Sequence, residues 1–260
     1  MSSRSIGFIG GGRVARILLG GLERAGESPA TCVVSDSDTS VLETLAKRFS
    51  GIRTTGADIA EPASQDVVFG ALHPPAMKET LPEIGRHLRP ETVFISLAPV
   101  IRLSALNSAL GGFDRLARMI PNAASIVGSG FNPISLSAGL GTDDKAGLLE
   151  WLGVLGECPE VPDEQLEAYA ILTAMGPTYF WYQFEELEKL GADFGLDDQA
   201  TRHALSCMLR GSVKTFFEST MSAEEIIDLI PVKPLESSEC EVREAYRTRL
   251  RALHDKLTQR

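Results

Sequence analysis

A run of glycines near the amino terminus carries the clearest chemical signal in the sequence. Gly10, Gly12 and Ala15 stand at the spacing G-x-G-x-x-A, between an apolar segment and a segment with helical spacing. In this pattern the first glycine allows a tight turn, the second lets the backbone approach a pyrophosphate, and the alanine permits close helix packing. The amino end of the helix then offers free N–H groups to phosphates. The pattern predicts a dinucleotide site, with a purely structural glycine turn as the alternative.

The residues after the second predicted strand bear on which dinucleotide is bound. Ser35 and Asp36 follow an apolar, β-branched run, and a carboxylate in this place hydrogen-bonds the adenosine ribose and repels a 2′-phosphate. No Arg or Lys lies between Glu27 and Leu45. We therefore expect NAD(H) or NADP(H) as the cofactor, with NADH favoured, and Ser35 and Asp36 on the ribose side. Asp38 is interpreted equally well as a solvated turn residue.

Strand-like and helix-like segments alternate through the first half of the chain. The predicted strands are Ser5–Ile9, Ala30–Ser35, Asp66–Leu72, Thr92–Leu97 and Arg115–Ile120. The helices predicted between and after them are Arg13–Ala25, a helix ending near Phe49, and Pro75–Leu88, Leu103–Leu110 and Asp143–Leu155. Ser40 and Glu43 match a capping box, which would open the second helix. The alternation predicts βαβ units and a parallel sheet with helices on both faces.

Near Cys158 the pattern changes, and strand signals almost vanish. The segments that follow are all predicted to be helices: Asp163–Met175, Thr178–Phe194, Gln199–Phe217, Ala223–Leu229 and Val242–Gln259. The fold class is therefore predicted as α/β, with a Rossmann dinucleotide-binding domain over residues 1–157. An all-α domain is predicted over residues 158–260.

Composition and charge exclude several classes of function. The chain of 260 residues has a formal net charge of -10, so we expect neither nucleic acid nor an anionic membrane as a partner. Its four cysteines form no CxxC pair and no cluster with His, which predicts reduced thiols and no metal site. No apolar run approaches the roughly 20 residues of a membrane helix, and the amino terminus lacks a signal peptide. These features predict a soluble cytoplasmic protein.

Several short motifs, taken together, resemble the pyrroline-5-carboxylate reductase family. The most specific is the R-x-I-P-N segment that begins at Arg118 and ends with Gly130, which is similar to the family's R-x-M-P-N…G. The opening I-G-F-I-G-G-G, the G-A-L-H-P ending at Pro74, the S-L-A-P beginning at Ser96 and the M-G-P-T-Y ending at Tyr179 also resemble family motifs. The resemblance is collinear over about residues 5–220.

The resemblance implies an enzyme with a particular layout. It implies a Rossmann domain, a helical domain that interlocks with that of a second subunit in a homodimer, and hydride transfer from a nicotinamide to the C=N bond of a small cyclic imino acid. Residues implied to contact the cofactor are Gly10, Gly12, Arg13 and Val14 at the pyrophosphate, Ala71, His73 and Pro74 along its length, and Ala98 and Asn122 near the nicotinamide. Thr178 and Tyr179 would begin the helix that faces the substrate, and Thr178 and Asn122 are the implied catalytic residues.

Some of these residues also have structural interpretations. His73 would serve equally as a cap where a strand meets the next loop, and Asn122 as a turn former beside Pro121. The aromatic residues that follow Thr178 are expected to lie mostly in a core or a dimer interface. A hydroxyl there, on Thr178 or Tyr182, would be available as a proton donor.

The sequence departs from the family where a substrate carboxylate is implied to bind. The family has S-P-G-G-T-T near its carboxyl terminus, whereas this chain has I-P-V-K-P-L-E-S-S over 230–238. A carboxylate would lose a nest of N–H donors there, with Lys233 as a substitute charge. His73 also replaces a family Lys, and Met175 a family Ser. Two alternatives therefore stay open: a deazaflavin-dependent NADP oxidoreductase, and a silent paralogue that binds dinucleotide as a sensor.

Overall fold

The computed structural model describes residues 4–258 of the chain. A seven-stranded sheet has the strand order β3-β2-β1-β4-β5-β6-β8. Each strand is parallel to its neighbours except β8, which is antiparallel to β6. The strands of this sheet are β1 Ser5–Ile9, β2 Thr31–Ser35, β3 Ile52–Thr54, β4 Val67–Gly70, β5 Val93–Ser96, β6 Leu116–Met119 and β8 Ile134–Leu136. A separate parallel pair is formed by β7 Gly130–Phe131 and β9 Gly156–Glu157.

Helices connect the strands of the first half and make up most of the second. Those up to residue 169 are α1 Arg13–Ala25, α2 Thr39–Arg48, α3 Ala60–Ala63, α4 Pro74–His87, α5 Leu103–Ala109, α6 Thr142–Leu152 and α7 Leu166–Tyr169. The later ones are α8 Trp181–Asp193, α9 Asp198–Glu218, α10 Ala223–Asp228 and α11 Glu236–Thr258. Short 3₁₀ segments lie at Ala123–Val127, Gly153–Leu155, Asp163–Gln165 and Gly176–Tyr179, and one π turn at Ala170–Ala174.

The sheet is buried on both faces because its strands alternate their side chains between two apolar clusters. Phe8 and Phe69 stack with ring centroids 4.8 Å apart on one face, which α1, α2 and α6 cover. Val68 and Phe94 point to the other face, which α4 and α5 cover. Burial of such side chains stabilises the fold by roughly 1.5–3 kcal/mol each. The predicted Rossmann arrangement is confirmed.

The predicted strands and most of the predicted helices are confirmed, and the errors have local causes. The short strands β3 and β7 to β9 were missed because runs of two or three residues leave little periodic signal. The capping box at Ser40 is wrong: Asp38 is the N-cap of α2, and its carboxylate accepts a hydrogen bond from the Ser40 amide. The single helix predicted over Asp163–Met175 is also wrong, since 3₁₀, α and π turns follow one another there.

The described chain divides into two compact units. One runs to Met175 and includes the last turn of α11, and the other spans Gly176–Leu253. Residues 158–175 thus pack with the sheet-containing unit, whereas the sequence placed the start of the helical domain at 158. In the helical unit α8 packs on α9, where Gly191 leaves room for the buried side chain of Thr201.

The cysteines are free thiols, as the sequence predicted. Burial raises the pKa of Cys32 and of Cys158 to about 12, so both stay protonated at neutral pH. Within residues 4–258 no helix combines the length and hydrophobicity needed to cross a bilayer. The same residues contain no group of three His, Cys, Asp or Glu side chains arranged to hold a metal ion.

Candidate active site

The turn between β1 and α1 requires glycine at position 10. Gly10 has φ +102°, a conformation that an L side chain rarely adopts, and a Cβ there would lie 2.6 Å from the Ala71 carbonyl oxygen. Its amide donates to the Ser35 carbonyl at 2.8 Å. Gly10 therefore lets the turn lie against the carboxyl ends of both β4 and β2.

Gly12 stands at the N-cap of α1 and has a different role. It is exposed, its φ of -67° suits any residue, and no atom lies within 4 Å of the place where a Cβ would be. The amides of Gly12, Arg13 and Val14 have no acceptor within the described part of the chain. A helix N-terminus with free amides and an unobstructed approach fits the pyrophosphate of a dinucleotide.

Asp36 is bonded to the glycine turn itself. One carboxylate oxygen accepts from the Gly11 amide at 2.8 Å, and the other accepts from the Asp38 amide at 2.9 Å. Ser35 is buried, and its hydroxyl faces the Phe8 carbonyl at 3.5 Å. The carboxylate of Asp36 therefore sits beside the turn as a fixed negative charge, where it disfavours a 2′-phosphate.

The predicted contacts after β4 lie at the same edge of the sheet as the glycine turn, because β1 and β4 are parallel neighbours. Ala71 is partly buried and its amide donates to the Ile9 carbonyl at 2.8 Å. His73 is the exposed N-cap of α4, but its ring makes no capping hydrogen bond, and Pro74 is the first residue of the helix. His73 thus occupies the N-cap position, but its imidazole does not cap the helix.

Asn122 is held in a network of its own. Its side-chain oxygen accepts from the Ala124 amide at 2.8 Å, and its side-chain nitrogen donates to the Thr173 carbonyl at 2.7 Å. Its backbone amide donates to the Asn132 side chain at 2.8 Å. These bonds match the turn-forming alternative, and a cofactor contact for Asn122 stays a prediction.

Ala98 and Thr178 lie in different units. Ala98 is buried just after β5, in the unit that carries the glycine turn. Thr178 is exposed in the 3₁₀ segment Gly176–Tyr179 of the helical unit. Beside it, burial raises the pKa of the Tyr179 hydroxyl, and the neighbouring Tyr246 raises it further, so the phenol stays protonated at neutral pH. The catalytic role of Thr178 stays a prediction.

A buried cluster of charges lies at β6, and the sequence analysis did not predict it. Arg118 in β6 is 1% exposed, and its guanidinium pairs with Asp163 at 2.5 Å and with Glu167 at 2.6 Å. Glu167 is also 1% exposed, and its second oxygen lies 3.3 Å from the Arg102 guanidinium. Two cations thus balance two carboxylates, as burial of charge requires. The available signal was Arg118 itself, a charged residue inside an apolar strand.

The cluster also contacts strained backbone. Val100 has φ +65°, the only positive φ of a residue other than glycine in the described chain. A β-branched residue pays roughly 1–2 kcal/mol for this conformation. Its amide donates to the Glu167 carboxylate at 3.0 Å. This strain could not be predicted from the sequence, because the φ angle of Val100 depends on tertiary contacts.

Residues 230–238 form a loop followed by a helix N-terminus. Residues 230–235 are all exposed, and α11 begins at Glu236. Glu236 and Glu239 lie in the first turn of α11. Carboxylates in this place interact favourably with the helix dipole and oppose the approach of a further anion, and the Glu239 carboxylate also accepts a hydrogen bond from Arg243 at 2.6 Å.

Comparison with known proteins agrees with this fold and with the glycine turn. A family profile described as "NADP oxidoreductase coenzyme F420-dependent" matches residues 5–99, the segment from β1 to just beyond β5. Over 229 residues the chain is 27% identical to pyrroline-5-carboxylate reductase 1 of Bacillus spizizenii, covering 87% of this chain and 77% of that protein. The resemblance inferred from the motifs is thereby confirmed.

Two solved structures extend the likeness in fold to the whole chain. A pyrroline carboxylate reductase from Plasmodium falciparum with NADP bound superposes with a TM-score of 0.83 at 19% identity, covering 100% of this chain and 98% of that one. A pyrroline-5-carboxylate reductase from Coxiella burnetii gives a TM-score of 0.69 at 24% identity, covering 100% and 96%. At these identities the structures establish the fold, a Rossmann unit followed by helices.

The two glycines of the turn predict separable effects of substitution. Gly10→Ala should destabilise the protein by roughly 1–3 kcal/mol, because it adds strain and a clash with Ala71. Gly12→Ala should change stability by less than about 1 kcal/mol but weaken NADH binding at least about tenfold, because its Cβ would occupy the approach to the amides. Thermal unfolding and NADH titration measure the two effects.

Gly153→Ala is the matched control, since its Cβ would also meet no atom within 4 Å and it lies far along the chain in a 3₁₀ segment. It should leave both stability and NADH binding unchanged. Unaltered NADH binding by Gly12→Ala would contradict the assignment of this turn as the pyrophosphate site.

Proposed function

We propose that this divergent relative of the pyrroline-5-carboxylate reductases reduces the C=N bond of a small cyclic imine with a nicotinamide dinucleotide. The chain is an NAD(P)H-dependent reductase by its similarity to these enzymes over most of its length. We also propose 1-pyrroline-5-carboxylate as the substrate and a place for the protein in proline synthesis. One observation carries most weight: the free amides and open approach at Gly12, on a turn that Gly10 and Asp36 hold rigid.

The chain's own residues supply binding and orientation in this proposal. A bound nicotinamide would supply the hydride, and the protein would align it with the imine carbon. Gly12, Arg13 and Val14 would hold the pyrophosphate. Ala98, at the carboxyl edge of the sheet, would lie near the nicotinamide. Thr178 and Asn122 are proposed to face the substrate. Water or a side-chain hydroxyl at the substrate would give the proton to the imine nitrogen.

We propose a preference for NADH. The carboxylate of Asp36 accepts hydrogen bonds from two backbone amides and so is fixed where the adenosine ribose would lie. Each carboxylate oxygen keeps a second lone pair for a ribose hydroxyl. A 2′-phosphate would meet this negative charge, and Asp38, whose pKa is lowered by hydrogen bonds from Ser40, adds another.

We further propose that the helical unit forms a homodimer, as the sequence resemblance implies. Large apolar side chains are exposed along α8, α9 and the loop before α11, and Phe217 is 76% exposed. The buried residues of Gly176–Leu253 are only Gly176, Gly191 and Thr201 within the described chain. Large exposed apolar surfaces are rare on monomeric proteins, and a second copy would cover these side chains.

A deazaflavin-dependent reaction is the second candidate, because the family profile that matches residues 5–99 is named for coenzyme F420. That match ends within the dinucleotide-binding part and includes neither Asn122 nor the helical unit. Asp36 also disfavours the 2′-phosphate of NADP. Reduction of F420 by NADPH at a rate above that of imine reduction would favour this candidate.

The proposed reaction predicts that the protein oxidises NADH in the presence of 1-pyrroline-5-carboxylate. The reaction is measured as the fall in NADH absorbance at a fixed enzyme concentration. Uncharged 1-pyrroline is the matched substrate without a carboxylate. We propose that the acidic first turn of α11 does not hold a substrate carboxylate, so kcat/KM for the two imines should differ by less than about tenfold. Binding of NADH with no turnover of either imine would instead favour the sensing role.

The proposed dimer predicts a mass twice the 28.0 kDa of one chain by light scattering after size exclusion. Phe217→Glu should shift the mass towards that of one chain, because it places a charge in the apolar surface. Lys47→Glu on the exposed side of α2 alters charge elsewhere and should leave the dimer intact. A wild-type protein of 28.0 kDa with full turnover would contradict the dimer.

A further inference from the structure

We propose that Glu167 is a positioning residue, which holds the loop after β5 in a strained conformation so that it supports the nicotinamide half of the cofactor. This inference rests on the proposed binding of a nicotinamide dinucleotide. It concerns a residue to which the family motifs quoted above assign no role. The loop in question is residues 97–102, between β5 and α5.

Val100 shows that the loop does not rest in a relaxed conformation. Its φ of +65° is unfavourable for a β-branched residue. Such backbone persists only where its surroundings over-determine it, and it is concentrated at functional sites. A relaxed loop would have been available with glycine at this position.

The buried carboxylate of Glu167 is the group that holds Val100. One oxygen accepts from the Val100 amide at 3.0 Å and from the Arg118 guanidinium at 2.6 Å. The other oxygen lies 3.3 Å from the guanidinium of Arg102, two residues further along the chain. Glu167 therefore contacts the strained residue and the end of the loop at the same time.

Asp163 secures the far side of the same loop. Its carboxylate accepts from the amide of Leu103, the first residue of α5, at 3.2 Å, and pairs with Arg118 at 2.5 Å. Its carbonyl oxygen accepts from the Arg102 guanidinium at 2.5 Å. With Arg118 anchored in β6, the loop is tied to a strand of the sheet by charge-assisted hydrogen bonds, which are the stronger kind.

The place of the loop in the sheet connects it to the cofactor. It leaves β5 at the carboxyl edge, on the β4-β5-β6 side of β1. In sheets of this order the dinucleotide lies across the carboxyl ends, with one nucleotide on each side of the switch between β1 and β4. Asp36 after β2 marks the adenosine side, so the loop after β5 belongs to the nicotinamide side.

Stability alone does not account for the arrangement. Four buried or half-buried charges are commonly replaced by apolar side chains with no loss of stability. Here the charges hold a residue in a conformation that itself costs stability. An arrangement of this kind is expected where geometry at a site is under constraint.

The test separates the nicotinamide end from the rest of the cofactor. Dissociation constants are measured for NADH and for ADP-ribose, which lacks the nicotinamide, together with thermal unfolding. Glu167→Gln should lower the unfolding temperature and weaken NADH binding about tenfold. The dissociation constant of ADP-ribose should change by less than about twofold. Adding Val100→Gly to Glu167→Gln should restore most of the NADH affinity without restoring the unfolding temperature, because glycine adopts positive φ unaided.

Val100→Pro is the second variant, in case Glu167→Gln does not fold. Proline lacks the amide hydrogen and cannot adopt φ +65°, but it leaves the four charged side chains in place. It should weaken the binding of NADH and leave the binding of ADP-ribose unchanged. Equal weakening of both ligands, or no change in either, would overturn the inference and leave the cluster a structural one. Failure of the wild-type protein to bind either ligand would refute the proposed function itself.

Discussion

The close approach of the β1–α1 turn to the end of β4 is the constraint on which the proposed site depends. Gly10 makes it possible, since any Cβ there would collide with the Ala71 carbonyl. The same turn is bonded to Asp36 through the Gly11 amide. Three strand ends, of β2, β1 and β4, are thereby locked together, and the first amides of α1 are left free for a ligand. The contacts that hold the turn are all made within the protein.

The other half of the sheet's carboxyl edge, after β5 and β6, is held by a different kind of interaction. There the backbone is held by charge, through Arg118, Asp163 and Glu167, and not by the absence of a side chain. These residues come from β6 and from the segment around α7, distant in sequence but joined in one buried cluster. The two halves of the cofactor would thus rest on a glycine turn and on a charged framework. The glycine motif therefore marks only the half of the site on the adenosine side.

Features that depend on local or periodic patterns of residues could be predicted from the sequence. Five of the six strands between Ser5 and Met119 contain apolar runs long enough to be found, β3 being the exception, and Gly10 and Gly12 lie at a spacing typical of dinucleotide-binding turns. The charged cluster was not predictable, because pairing of Arg118 with Glu167 depends on contacts 49 residues apart. The N-cap at Asp38 was missed because Ser40 and Glu43 offered a competing cap two residues later. Roles that depend on a bound ligand, such as that of Thr178, stay predictions.

The central claim is that the turn at Gly10 and Gly12 binds a nicotinamide dinucleotide, and a fluorescence titration of the purified chain with NADH and with NADPH tests it most directly. We expect saturable enhancement of nicotinamide fluorescence at one NADH per chain, with NADPH bound about tenfold more weakly because of the Asp36 carboxylate. No saturable signal from either nucleotide would contradict the account.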